Sequence, residues 1–299
     1  AWCAFGYEGE HPQDQRRDDE GSMCFDSEPL AADLPILGAP VVRLSVASDR
    51  PAAFVCARLC EVFADGSSAR VSFGLLNLAH RISHATPAPM PVGEPQQVTV
   101  QLNDTAHVFA RGSRVRLALS TSYWPMVWPS PEPVTLMLSP AGCELVLPAR
   151  PPSPDDDALR PFAAPKAAPK PRFTDVDEGG IRRRREIDPE TGEVLVETEL
   201  DLEADGSPSR TRYDDIDVET AHGIRESFRI RPDDPLSARG EVLHRTTWQR
   251  GELTTFVELH CALSADAEAF RFDAELVARE GEVEVTRRRW RERVPRRLL

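Results

Sequence analysis

Residues 53–66 read Ala53-Phe54-Val55-Cys56-Ala57-Arg58-Leu59-Cys60-Glu61-Val62-Phe63-Ala64-Asp65-Gly66. Ala53, Val55, Ala57, Leu59 and Phe63 fall on one side of an extended chain and Arg58 on the other, which is strand period. Asp65-Gly66 supplies a hairpin turn, and residues 71–78 supply the returning strand. Upstream, Val42, Leu44 and Val46 alternate with Arg43, Ser45 and Ala47 in the same way. Downstream, residues 98–102 and 115–119 give two more strands, with Arg111-Gly112-Ser113 as a turn before the second. Residues 136–138 and 145–147 read as a last hairpin around Pro140-Ala141-Gly142. Short strands with regular turn signals predict an all-β sandwich over residues 37–150. Residues 1–36 are polar and irregular and read as an arm that enters it.

Residues 151–172 are poor in apolar side chains and rich in proline, the composition of a semi-rigid spacer. Residues 173–299 return to alternation. Residues 181–188 and 194–201 flank the loop Pro189-Glu190-Thr191-Gly192. Later strands are expected near 241–250, 253–263, 268–279 and 282–292. Their connections are so short that neighbours must be antiparallel, so this part reads as a β-meander. Alternation such as Phe270-Arg271-Phe272-Asp273-Ala274-Glu275-Leu276 gives each strand one apolar and one charged side.

The formal net charge of −13 argues against nucleic acid or an anionic membrane surface as a partner. No stretch approaches the roughly 20 apolar residues of a membrane-spanning helix, and no leader-like segment opens the sequence. Cys56 and Cys60, four apart in one strand, lie ~13 Å from each other, beyond the roughly 7 Å reach of a disulfide. Free thiols in a reducing cytoplasm are the expectation. The first residues are Ala1-Trp2, with no initiator Met, which fits a fragment or a processed product.

Catalytic patterns are missing where they would be needed. An α/β serine hydrolase carries its nucleophile in G-x-S-x-G at a strand-to-helix turn. Ser68 follows Gly66, but Arg70 stands where the second glycine belongs. No catalytic residue, cofactor site or metal site is therefore expected in this chain. His80 and His84 are four apart, as zinc ligands on a helix would be, but Ala85-Thr86-Pro87-Ala88-Pro89 is no helix, so a loop-lining role is expected. Residues 201–206 resemble the start of a calcium loop, yet Arg212 takes the place of the glutamate that closes one. The arginine runs 182–185 and 287–293 sit where 30 carboxylates face 21 arginines over residues 173–299. Cross-strand pairing accounts for them. Asp14-Gln15-Arg16-Arg17-Asp18-Asp19 has no catalytic spacing and is expected to dock the arm.

The last informative stretch is Tyr123-Trp124-Pro125-Met126-Val127-Trp128-Pro129-Ser130-Pro131-Glu132. Proline fixes its own φ and lacks a donor for a sheet ladder. Two tryptophans among three prolines predict a rigid corner. Together with the 14–19 stretch, residues 22–30, Gly38-Ala39-Pro40, Ser48-Asp49-Arg50-Pro51 and Gly74-Leu75-Leu76-Asn77-Leu78, it resembles the CocE/NonD, X-Pro dipeptidyl-peptidase-like serine hydrolases. The resemblance covers about residues 1–150 and falls on their C-terminal region. It implies a C-terminal jelly roll of galactose-binding-like shape. It also implies an upstream α/β-hydrolase domain with a Ser-Asp-His triad, none of which can be placed on this sequence. That catalytic domain is the expected partner, with Tyr123, Trp124, Trp128, His80 and His84 as candidate interdomain contacts. Residues 173–299 resemble the tail of longer members. The competing expectation is a stand-alone jelly-roll binding module for a carbohydrate or a protein.

Overall fold

A computed structural model of the chain describes residues 12–177, 179–202 and 208–298. Contacts divide it into two units, residues up to 162 and residues 163–297. Both are built from antiparallel strands. Among the described residues, helix is confined to α1 (Arg16–Asp19) and the 3-10 turns Leu78–His80, Pro140–Gly142 and Pro154–Ala158. No described helix is long and apolar enough to cross a membrane.

The first unit holds ten strands: β1 (Met23–Asp26), β2 (Leu34–Gly38), β3 (Val41–Ser48), β4 (Phe54–Val62), β5 (Ser68–Asn77), β6 (Gln96–Gln101), β7 (Thr105–Phe109), β8 (Arg114–Ser120), β9 (Leu136–Leu138) and β10 (Glu144–Val146). One sheet runs β1-β8-β4-β5, a second runs β10-β3-β6, and β2 pairs with β7. Val42, Leu44 and Val46 of β3 and Val98 and Val100 of β6 share one core with Val55, Ala57 and Leu59 of β4 and Val115, Leu117 and Leu119 of β8. The alternating residues of two sheets thus face each other, which makes the unit a β-sandwich. The sheets approach closely at Gly74. A Cβ there would stand 2.5 Å from the Gln101 carbonyl oxygen and 3.0 Å from the Leu102 Cα.

Several expectations need correction here. Residues 136–138 and 145–147 do not form a hairpin with each other. β9 pairs with residues 46–48 of β3 and β10 with residues 41–43, both antiparallel. They share one edge of β3 end to end, because the Pro140–Gly142 turn offsets the chain without reversing it. A Cβ on Gly142 would come 2.7 Å from the Ser45 Cβ, so only glycine lets that turn lie against β3. The arm is not irregular throughout: β1 lies on β8 and β2 on β7. Arg58 is on the face opposite the core, as alternation demands, but that face is covered and every residue of β4 is buried.

The second unit forms a nine-stranded sheet among the described residues. Its strands are β11 (Phe173–Asp175), β12 (Ile181–Ile187), β13 (Val194–Leu200), β14 (Ser209–Tyr213), β15 (Val218–Arg231), β16 (Asp234–Arg250), β17 (Leu253–Ala265), β18 (Ala269–Glu280) and β19 (Val283–Pro295). From β15 to β19 it is the expected meander, in sequence order. Gly251 and Gly281 have φ of 55° and 54°, the left-handed backbone that two-residue hairpin loops require. β13 and β14 occupy different stretches of the same edge of β15. β11, β14 and most of β15 carry little apolar alternation and were not legible as strands. The calcium-like stretch falls largely on residues 203–207, outside the described residues. Arg212 itself lies in β14 and donates from Nε to Asp214 Oδ1 at 2.9 Å.

Register puts unlike side chains on the sheet's two sides. Arg184 sits opposite Glu197, Arg225 opposite Glu199, and Glu275 opposite Arg289. Their side chains pair at 2.8, 2.7 and 3.0 Å. On the other side, Ile224, Phe228, Leu259, Leu263, Phe272 and Leu276 follow the apolar positions. Several arginines of the runs are paired in this way: Arg182 reaches Glu199 across strands at 3.0 Å, and Arg293 reaches Glu268, just ahead of β18, at 3.0 Å.

Candidate interdomain site and the buried clasp

The outer face of the β1-β8-β4-β5 sheet is closed by the segment before β1. The backbone amide of Gln15 donates to the Ser68 carbonyl at 2.8 Å, and the Ser68 amide donates to Asp14 Oδ1 at 3.2 Å. α1 then crosses above β4 and brings Asp19 over Arg58. Arg58 Nη2 is 3.0 Å from Asp19 Oδ1, with side chains 2% and 6% exposed. Arg58 also donates to Gln15 Oε1 at 3.0 Å and Ser22 Oγ at 2.9 Å. Arg116 holds the other Asp19 oxygen at 2.9 Å and grips Asp26 with two bonds of 2.7 Å. That fork geometry holds the Asp26 carboxyl below its ordinary range. A charge so deeply buried persists only when paired and hydrogen-bonded. Asp14, Gln15 and Asp19 of the 14–19 stretch are thus a clasp between arm and sheet.

Glu61 plays a similar part at the next edge. It accepts from the Ala110 amide at 2.7 Å and lies 2.8 Å from His107 Nε2. Burial pushes its carboxyl up, but hydrogen bonds from Ser113, the Ala110 amide and His107 outweigh this and leave it lowered. Burial pushes the Cys56 and Cys60 thiols up to about 11. Both are protonated at neutral pH and are poor nucleophiles. The described cysteines 24, 56, 60, 143 and 261 are all free thiols.

The five candidate contact residues fall into three local groupings. Tyr123 packs on Phe73 with ring centroids 5.5 Å apart. Its hydroxyl accepts from Arg70 Nη1, and the Arg70 guanidinium stacks 4.7 Å from the Phe73 ring centre. Burial raises the Tyr123 phenol, partly countered by Arg70. Trp124 and Trp128 meet edge to face at 5.4 Å and 75°, a favoured aromatic geometry. The Val127 amide donates to the Tyr123 carbonyl at 2.9 Å and closes the turn between them. The Trp124–Pro125 peptide is cis. Both indoles are half-buried, which leaves Met126 as the exposed apolar side chain of the corner. His80 and His84 face each other on a separate loop, with Nδ1 atoms 3.3 Å apart. The corner is therefore built as its proline content implies, and it offers no flat exposed aromatic platform.

Sequence reasoning missed the Arg58–Asp19 pair, although an arginine centred in an apolar run was its signal. It also missed an apolar cavity of about 470 Å³ where β1 and β10 part, lined by Phe25, Leu34, Leu117, Cys143, Leu145 and Leu147. Among the described residues no group of three or more His, Cys, Asp or Glu side chains is placed to hold a metal.

The first unit is thus a β-sandwich braced by ion pairs. Residues 5–149 match the sequence family described as the X-Pro dipeptidyl-peptidase C-terminal non-catalytic domain. Cocaine esterase of Rhodococcus sp. (strain MB1 Bresler) is 28% identical over 116 residues, 38% of this chain and 20% of that protein. The chain thus spans about a fifth of the curated relative it matches. A solved α-amino acid ester hydrolase is 26% identical with a TM-score of 0.43, over 46% of this chain and 27% of that one. A CocE/NonD family hydrolase from Staphylococcus aureus is 16% identical with a TM-score of 0.37, over 46% of this chain and 32% of that one. Over residues 5–149 the chain is thus similar to the C-terminal non-catalytic region of the CocE/NonD, X-Pro dipeptidyl-peptidase-like proteins.

Proposed function

We propose that this chain is the C-terminal portion of a serine hydrolase that cleaves ester or amide acyl bonds, and that it supports or shapes the active site of a separate catalytic domain. The observation that carries this reading is the match of residues 5–149 to a non-catalytic domain family, in a sequence without G-x-S-x-G. The partner is an α/β-hydrolase domain of the same protein, and the Tyr123–Trp128 corner is its contact. A half-buried, proline-bounded aromatic pair supports this, because such a corner presents a fixed shape without a large ordering cost. We read the sandwich as a jelly roll of galactose-binding-like shape. The chain passes between the sheets β1-β8-β4-β5 and β10-β3-β6 from β3 to β4, from β5 to β6 and from β8 to β9, which supports that reading. A reducing, cytoplasmic setting is in keeping with the free thiols.

The reading frame around the gene tests the proposal at little cost. It predicts a G-x-S-x-G and a histidine-bearing loop encoded upstream and in frame. A start codon immediately before Ala1, with no hydrolase sequence ahead of it, would remove the catalytic partner and with it the proposal.

A further inference from the structure

His80 ends the 3-10 turn that follows β5 and His84 lies on the loop beyond it, with Nδ1 atoms 3.3 Å apart and ring centroids 5.3 Å apart. Two nitrogens bound to one tetrahedral zinc at about 2.0–2.1 Å would be about 3.3–3.4 Å apart, with ring centroids about 5.2 Å apart. Both observed separations meet these values. A direct hydrogen bond between the rings is the competing explanation. The 3.3 Å separation admits either, and zinc binding separates them.

The loop holds this geometry from both ends. The Leu78 amide donates to the Ala53 carbonyl at 2.9 Å, and Asn77 Oδ1 accepts from the Ala79 amide at 2.9 Å. Arg81 Nη1 spans the loop, donating to the carbonyls of Leu78 at 3.2 Å and Ala88 at 2.8 Å. The Ala88 amide returns to the Ala79 carbonyl at 2.9 Å. Ser83 Oγ accepts from the amides of Ala85 and Thr86, each at 3.2 Å. Leu78, Ala79 and Met90 are buried and anchor both stems in the sandwich. Pre-ordering of this kind removes most of the entropy that two free histidines would lose on sharing an ion.

We propose that His80 and His84 form a bidentate site, through both Nδ1 atoms, for a borderline divalent transition-metal ion of the zinc, nickel or copper class. Imidazole donors select those ions over magnesium and calcium, which prefer oxygen. Two protein ligands leave the remaining positions to water or an incoming donor, so the site is open and exchangeable rather than a four-ligand structural zinc. It stands apart from the hydrolase reading and does not depend on it.

Zinc alone, titrated calorimetrically into the full chain, is the test. His80→Gln, His84→Gln and a His222→Gln/His244→Gln double variant serve as comparisons. The last controls for the other close pair, whose rings are 6.2 Å apart. His84 is exposed and His80 half-buried, so metal-free melting should be unchanged in the single variants. The expected result is one zinc equivalent in the parent chain that disappears in each single variant and persists in the control. Magnesium and calcium should give no heat at this site. The proposal is overturned if the parent chain binds no zinc, if either single variant keeps its affinity, or if the loss falls on the control pair.

Discussion

The Arg58 guanidinium of β4 and the Asp19 carboxylate of α1 form an ion pair across 3.0 Å in a setting where neither side chain is more than 6% exposed. The two residues are far apart in sequence, and their contact fixes how the chain enters the sandwich. Asp19 also neutralises Arg116, which binds Asp26 of β1. One carboxylate therefore ties the arm, the sheet centre and the sheet edge together.

Removing that carboxylate leaves a buried guanidinium without its counter-charge. Asp19→Ala is expected to destabilise the chain by about 3–5 kcal/mol, the usual cost of breaking a buried pair from one side. Replacing both partners with apolar residues of similar volume should cost much less. Chemical denaturation of the two variants checks this. Equal losses in both would show that packing, not the uncompensated charge, decides stability here.

The Tyr123 corner should behave as structure rather than chemistry. Tyr123→Phe removes the acceptor for the Arg70 guanidinium while keeping the ring on Phe73. A loss of about 1.5–3 kcal/mol is expected, the range for a bond to a charged group. Trp124→Ala or Trp128→Ala loses the edge-to-face pair, worth about 0.5–1.5 kcal/mol beyond the area buried. Thermal melting reads both effects. A corner whose variants melt like the parent would have no bracing role.

How much of this was legible in the sequence varies with the physics behind each element. The strands with strict apolar alternation, β3, β4, β6 and β8, could be read directly because burial on one side imposes period two. β15 escaped because His222, Arg225, Glu226 and Arg229 break its pattern, and tertiary pairing on both edges supplies what periodicity lacks. The β9–β10 hairpin was misread because Pro140 and Gly142 signal a turn without saying whether the chain reverses. The corner's residues could be named, but Arg70 and Phe73 could not be assigned to Tyr123, since nothing local joins positions some fifty residues apart. Alternation alone does not reveal that a segment covers the face opposite the core on β4.

Gly74 gives a steric prediction. With backbone atoms of Gln101 and Leu102 already within 2.5–3.0 Å of its absent Cβ, neither neighbour can move aside like a flexible side chain. Gly74→Ala should cost about 1–3 kcal/mol through overpacking. Gly66→Ala meets no atom within 4 Å and, despite strain at φ 83°, should leave the sheet-to-sheet contact intact. Amide exchange at Asn103, whose N–H donates to Phe73 O at 2.9 Å, separates the two. Equal protection in both variants would count against the close approach.

Acid should loosen the Glu61 edge. A carboxyl held below its ordinary value of 4.5 contributes fully at pH above the unfolded value, and that contribution is lost as pH falls through the folded one. Glu61→Gln should therefore be less stable than the parent near neutrality and should lose less stability on acidification. Denaturant midpoints at successive pH values from neutral to about 3 check the sign. A variant with the parent's full acid dependence would place the titrating group elsewhere.

Active-site labelling addresses the central claim most directly. A fluorophosphonate probe would be reacted with the isolated chain and with any longer polypeptide that its gene encodes, and the adduct mapped by mass spectrometry. The account predicts no adduct and no ester turnover for residues 1–299 alone, and a single modified serine upstream of Ala1 in the longer protein. A probe-sensitive esterase activity in the isolated chain, with the adduct on one of its own serines, would contradict it.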